Sequence, residues 1–176
     1  MRTAGCWTAR TVWPANGATC RCPGPRPASA TGRAATAAGE RDGPRCYCGR
    51  RGCIETWLSG PALARDHLQH SGAALTAPQI GAQAARGDAA CEATLQRYES
   101  RLARSLALIV NLLDPQVIVL AGGVSALQRL VANVPRLWGG FVFSAGVTDP
   151  VRTRLVRSRH GDSSGVRGAA WLWRDR

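Results

Sequence analysis

Lysine is absent from this 176-residue chain: all 23 basic residues are arginine, set against 11 acidic ones for a net charge of +12. An excess of positive charge ordinarily points to nucleic acid or an anionic surface. A bias this complete within the basic residues points instead to a GC-rich coding sequence. The arginines are spread along the whole chain, with no aromatic interleaving of the kind that stacks bases, so nucleic acid is not an expected partner. No apolar run approaches the roughly 18 residues of a membrane span, so no membrane association is expected. No signal peptide is visible either, which argues against a disulfide framework and for a cytoplasmic setting. The length suits one domain.

What the sequence does contain is a dense cysteine cluster, Cys46-Tyr-Cys48-Gly-Arg-Arg-Gly-Cys53-Ile-Glu55. Thiolates bind zinc tetrahedrally, and a glycine-containing knuckle lets the backbone turn tightly enough for neighbouring cysteines to face one ion. Buried or free cysteines are the plain alternative, although Cys-x-Cys suits an ordinary core poorly. Cys46 and Cys48 are also too close to pair comfortably with each other. Three cysteines leave a tetrahedral site one ligand short. His67, His70, His160, Cys20, Cys22, Cys91 or a water could complete it, and the spacing does not choose among them.

Composition divides the chain at residue 45. Residues 1–45 are rich in Ala, Gly, Pro, Thr and Arg and show no apolar period, whereas residues 46–176 alternate periodic and turn segments as a folded domain does. From Glu92 to Leu113 the residues Leu95, Tyr98, Leu102, Leu106, Ile109 and Leu113 fall on one helical face, with Arg97, Arg101 and Arg104 largely off it. Asp114-Pro115 should stop this helix. Val117 to Leu120 then reads as a buried strand that runs into the turn Ala121-Gly122-Gly123, with a second helix from about Ala126 to Trp138. Backbone N–H groups after such a strand can approach a phosphate, although many α/β proteins use Gly-Gly merely to turn. The segment from His160 to Trp171 offers another small-residue turn and an alanine-rich stretch suited to close helix packing.

Taken together, these residues resemble the ROK family of repressors, open reading frames and sugar kinases over most of the chain after Arg45. The segment from Cys46 to Gly60 is similar to the family's zinc signature, and Asp114 to Ser125 is similar to its nucleotide-side strand and turn. His160-Gly-Asp-Ser-Ser-Gly-Val-Arg-Gly-Ala-Ala-Trp-Leu-Trp173, with Arg97 to Leu106, looks most like the bacterial fructokinase branch. The resemblance implies an α/β, actin-like (ribonuclease-H-like) ATPase fold whose lobes close over ATP-Mg2+ and a hexose, with fructose favoured, and a homodimer as a common assembly. It also implies roles at matching positions. Cys46, Cys48 and Cys53 would ligate Zn2+, Glu55 would hydrogen-bond sugar hydroxyls, and Gly122, Gly123 and Ser125 would line the ATP phosphates.

Departures from the family pattern are large. The Asp-Gly-Gly-Thr-type phosphate loop and the general-base aspartate are absent, so the chain is expected to be a C-terminal lobe without its N-terminal lobe and to lack appreciable kinase activity. The family's Glu-x-Gly-His segment, whose histidine supplies the fourth zinc ligand, is not found as written. Back-translating Trp13 to Gly24 with each codon started one base earlier nevertheless permits Val-Ala-Gly-Glu-Trp-Gly-His followed by a proline-containing stretch. Residues 1 to 43 are therefore expected to be out of frame, which the wobble bases of the gene would decide. A ROK-type repressor or sugar-sensing module is the alternative function, although no helix-turn-helix precedes the cluster. A small zinc module binding nucleic acid has only Cys20-Arg-Cys22 in its favour.

Overall fold

The computed structural model describes residues 43–143 and 150–173. The expected irregular segment and the shifted reading of Trp13 to Gly24 lie outside the described residues, apart from residues 43–45. Those three already belong to the folded part: Gly52 N–H donates to Pro44 O at 3.0 Å, and Arg45 bridges to Arg51 in antiparallel fashion.

Among the described residues the α-helices and strands are α1 (Glu55–Leu58), α2 (Gly60–Ser71), α3 (Ala77–Ala85), α4 (Ala89–Leu113), β1 (Val117–Leu120), α5 (Arg129–Trp138), β2 (Arg154–Arg157) and α6 (Ser164–Trp171). Their ends carry recognisable chemistry. Ser59 Oγ accepts from Ala62 N–H at the start of α2, which has a proline in its first turn, and Asp88 accepts from Cys91 N–H at 2.7 Å to start α4. Thr76 N–H donates to Gln79 Oε1 at 2.8 Å ahead of α3. Asp114 closes α4 in the left-handed region at φ 39°, and Pro115 prevents its continuation.

α4 is the axis of the molecule, with α2, α3 and α5 packed around it. Its inward face places Leu95, Tyr98, Leu102, Leu106 and Val110 against Leu63 of α2, Ile80 of α3 and Leu130 and Val134 of α5 in one apolar core. The periodicity expected from Glu92 onward holds, but two expectations about this helix do not. Arg101 and Arg104 are buried rather than off the packed face, and Leu113 is exposed. A guanidinium can be buried when a carboxylate meets it, and Asp66 of α2 meets Arg101 at 2.7 Å.

β1 and β2 pair in parallel, Val117 with Arg154 through Leu120 with Arg157, and α5 lies in the connection between them. The buried strand expected at Val117 to Leu120 is instead exposed on alternate residues, with Val119 56% exposed. Only one face of this two-stranded sheet is covered among the described residues, so period-2 alternation replaces full burial. The second expected helix forms as α5, ending at Trp138 as expected but beginning three residues later than Ala126, after a 3-10 turn at Gly123–Ala126. α6 forms where the alanine-rich tail predicts, but none of its residues is buried, so the close packing expected there is not realised among the described residues. No helix among the described residues is long and apolar enough to cross a membrane.

Candidate functional site: a cysteine knuckle beside a glycine turn

The cysteine cluster folds as a tight knuckle. Cys46 N–H donates to Arg50 O at 2.8 Å, and Gly49 N–H returns to Cys46 O at 3.0 Å. Gly49 and Gly52 sit at φ +84° and +68°, a region that side chains with a Cβ rarely enter. Gly43 packs so closely that an added Cβ would lie 2.7 Å from Gly52 Cα. These constraints bring the Cys46, Cys48 and Cys53 sulfurs within 4.8 Å of one another, with Cys48 and Cys53 only 3.5 Å apart.

That geometry fits zinc. An ion bonded to sulfur at about 2.3 Å in a tetrahedral site holds its sulfurs about 3.8 Å apart. Without metal the thiols differ: the Arg50 backbone N–H and the neighbouring thiols hold Cys48 below the ordinary thiol range, while burial pushes Cys53 up to about 12. A bound cation would favour the thiolate at both, because its charge outweighs these local effects. Among the described residues no histidine joins the three sulfurs. Two of the candidates for a fourth ligand are committed elsewhere. His67 is buried, with Nδ1 3.0 Å from Thr94 Oγ1 and Nε2 3.9 Å from Cys91 Sγ. Cys91 is likewise buried, and that burial pushes its thiol up to about 11. The exposed His70 has Nδ1 2.8 Å from Asp66 O, and His160 lies beyond β2. Cys20 and Cys22 fall outside the described residues.

The knuckle runs directly into α1. Cys53 O accepts from Thr56 N–H at 2.9 Å and Thr56 Oγ1 at 2.7 Å, and these bonds fix the turn that presents Glu55 to solvent. Tyr98 of α4 donates its hydroxyl to Leu58 O at 2.8 Å, and Arg65 donates to Thr56 O. Burial and then the Glu55 charge raise the Tyr98 phenol above its ordinary range. Arg101 lies 4.7 Å above the Trp57 ring while it pairs with Asp66, so α1 is tied through one guanidinium to both α2 and α4. Tyr98, Arg101, Asp66 and Trp57 thus support Glu55, and sequence reasoning did not find them. Their partners lie 31 to 44 residues apart on separate helices, beyond any local pattern. Only Tyr98 was on the expected core face.

The second expected site lies at the C-terminal ends of the parallel strands, where ligands commonly bind in α/β sheets. Gly122 follows β1 at φ +88°, and its N–H donates at 3.4 Å to Gly161 O in the loop after β2. Gly123 is exposed with open space at its Cβ position. Ser125 is buried beneath the turn, where both its N–H and its hydroxyl donate to Gly122 O, at 3.0 and 2.6 Å. The two regions adjoin: a Cβ at Gly60, where α2 begins, would lie 3.7 Å from Val124 Cγ2 in the turn. A separate pocket of about 340 Å³ between α4 and α5, lined by Gln96, Glu99 and Asn133 among others, includes none of these residues.

The chain is 38% identical over 129 residues to an N-acetyl-D-glucosamine kinase of Escherichia coli O9:H4 (strain HS), a match covering 73% of this chain and 41% of that protein. It therefore spans about two fifths of the length of the curated relatives it matches. Its fold superposes on a ROK family glucokinase from Streptomyces griseus, solved with glucose and AMPPNP, with a TM-score of 0.69 at 24% identity over 77% of this chain and 49% of that one. A ROK family transcriptional regulator shares the fold at a TM-score of 0.53 and 22% identity, covering 65% of this chain and 31% of that one. The fold is thus α/β and corresponds to about half of the actin-like ATPase fold of ROK kinases. The ROK family model itself matches residues 28–176, most of the chain and all of the knuckle and glycine turn, and the chain belongs to the ROK family.

Proposed function

We propose that this chain is the sugar- and nucleotide-binding C-terminal portion of an ATP-dependent hexose kinase, which transfers the terminal phosphoryl group of ATP to a sugar 6-hydroxyl. The observation that carries the reading is the continuity of the cysteine knuckle with α1. Three sulfurs suited to one zinc ion and an exposed carboxylate lie within ten residues, and the glycine turn packs against the start of α2.

In this reading Cys46, Cys48 and Cys53 hold Zn2+, which supplies structural rigidity rather than chemistry. Glu55 accepts hydrogen bonds from two sugar hydroxyls, charge-assisted contacts stronger than neutral ones. Thr56 and Tyr98 keep the carboxylate in place by holding the backbone on either side of it. Gly122 and Gly123 offer backbone to the phosphates of Mg2+-ATP without a side chain in the way, while Ser125 stabilises the turn from beneath. Phosphoryl transfer depends mainly on positioning and charge neutralisation, so a rigid cradle of this kind serves it. The chain alone is expected to show no turnover with fructose and ATP.

Fructose is the favoured sugar on the tail from His160 to Trp173, and the N-acetyl-D-glucosamine kinase relative makes that amino sugar its direct competitor. A homodimer in the cytoplasm completes the proposal. Titration of the zinc-loaded chain with fructose, glucose and N-acetyl-D-glucosamine tests it, with tryptophan fluorescence as the readout because Trp57 stands two residues from Glu55. One sugar should give a saturable change that weakens roughly tenfold to a hundredfold in Glu55→Gln, the loss of a charged hydrogen bond. No response to any hexose would overturn the reading.

A further inference from the structure

We propose that Cys48 and Cys53 form a peroxide-responsive thiol pair that closes to an intramolecular disulfide when the cluster is free of metal, so that oxidation and metal binding compete for the same two sulfurs. The sulfurs already stand 3.5 Å apart. A disulfide needs about 2.05 Å, and the intervening loop can supply that closure. It contains Gly49 and Gly52, both at positive φ, and no atom beyond its own chain neighbours lies within 4 Å of the Cβ position at Gly49.

The two sulfurs differ in access. Cys48 is exposed and meets an oxidant first, while Cys53 is half-buried at the base of the knuckle, with its carbonyl held by Thr56. Cys46 is a poorer partner for Cys48. One residue separates them, and the Cys46 N–H and carbonyl are both fixed within the turn. Cys91 is excluded by burial beside His67.

The chemistry balances with hydrogen peroxide as the oxidant. The Cys48 sulfur attacks one peroxide oxygen and the O–O bond breaks. Cys48 becomes a sulfenic acid, and the departing hydroxide takes the thiol proton and leaves as water. The Cys53 sulfur then attacks the Cys48 sulfur, the S–O bond breaks, and the second hydroxide leaves as water with the Cys53 proton. Two thiols lose two electrons in total, and one peroxide becomes two waters. Because Cys53 O holds both Thr56 hydrogen bonds, movement of Cys53 reaches the first turn of α1 and with it Glu55.

The test treats the purified full chain with hydrogen peroxide, once zinc-loaded and once after chelation, and maps cysteines by alkylation and mass spectrometry. The chelated chain should lose two hydrogens in a single Cys48–Cys53 crosslink, at least about tenfold faster than Cys91 reacts. The zinc-loaded chain should form it about tenfold more slowly and release zinc in proportion. Cys53→Ser should stop at the sulfenic acid, trapped by dimedone on Cys48. Equal rates with and without zinc would overturn the competition. A crosslink through Cys46 or any cysteine before residue 43, or Cys91 reacting as fast as Cys48, would overturn the pairing itself.

Discussion

Asp66 is the residue whose loss should be felt most widely. Its carboxylate accepts from Arg97 Nε and a terminal Arg97 nitrogen at 2.9 and 2.7 Å and from Arg101 at 2.7 Å, and it is nearly as buried as Arg101 itself. Asp66→Ala leaves two guanidiniums facing each other, one of them, Arg101, buried. Removing one partner of a buried pair costs about 3–5 kcal/mol, because the buried charge loses the carboxylate that faces it. Against a total stability of about 5–15 kcal/mol that is a large share. With a urea dependence of about 1–3 kcal/mol/M, the unfolding midpoint should fall by at least about 1 M. Since Arg101 also stacks on Trp57, the same substitution should change tryptophan emission in the folded protein. Urea unfolding followed by circular dichroism and fluorescence measures both. A loss below about 1 kcal/mol, the size of an exposed pair, with unchanged emission would refute the view that this network anchors α1.

Further outcomes follow from the same geometry. Cys53→Ser should lower the zinc content of the purified chain well below one ion, and unchanged content by metal analysis would remove Cys53 from the ligand set. Gly122→Ala should destabilise by about 1–3 kcal/mol, since φ +88° with ψ 178° is a conformation almost restricted to glycine. Gly123→Ala, with open space around it, should leave thermal stability nearly unchanged, and equal losses would contradict the assignment of strain. Acid should destabilise the fold progressively. Arg129 holds Glu92 down at about 2, and at Asp66 the effect of burial is outweighed by hydrogen bonds from Arg101 and Arg97, which keep it below the ordinary carboxylate range. Both folded values are depressed, so the stability they contribute is present above the unfolded values near 4 and is lost as pH falls toward 2. Thermal melts across that window should show the decline, and Arg129→Met should flatten part of it.

What the sequence made legible was local. The apolar spacing from Leu95 to Leu106 located the inward face of α4, Asp114-Pro115 marked its end, and Val117 to Leu120 was the strand that forms β1. The Cys-x-Cys and glycine spacing foretold a knuckle, because short-range turns are set by residues within the turn. What escaped depended on distant partners. Arg101 reads as a surface residue until Asp66, 35 residues earlier, faces it. β1 reads as buried because all four of its residues are apolar, whereas burial depends on what covers the sheet, and one face stays open among the described residues. His67 and Cys91 were candidates for the metal by residue type alone, and the packing of α2 on α4 makes them core partners instead.

In the proposed function the knuckle holds Glu55 ready for a hexose. Hexose affinity of the zinc-loaded chain, compared with the same chain after chelation and re-purification under reducing conditions, tests it most directly. Groups that orient a metal site are typically worth about tenfold to a hundredfold in metal affinity or activity. Chelation should lower hexose affinity by about that factor, and adding zinc back should restore it. Equal affinity with and without the metal would contradict it.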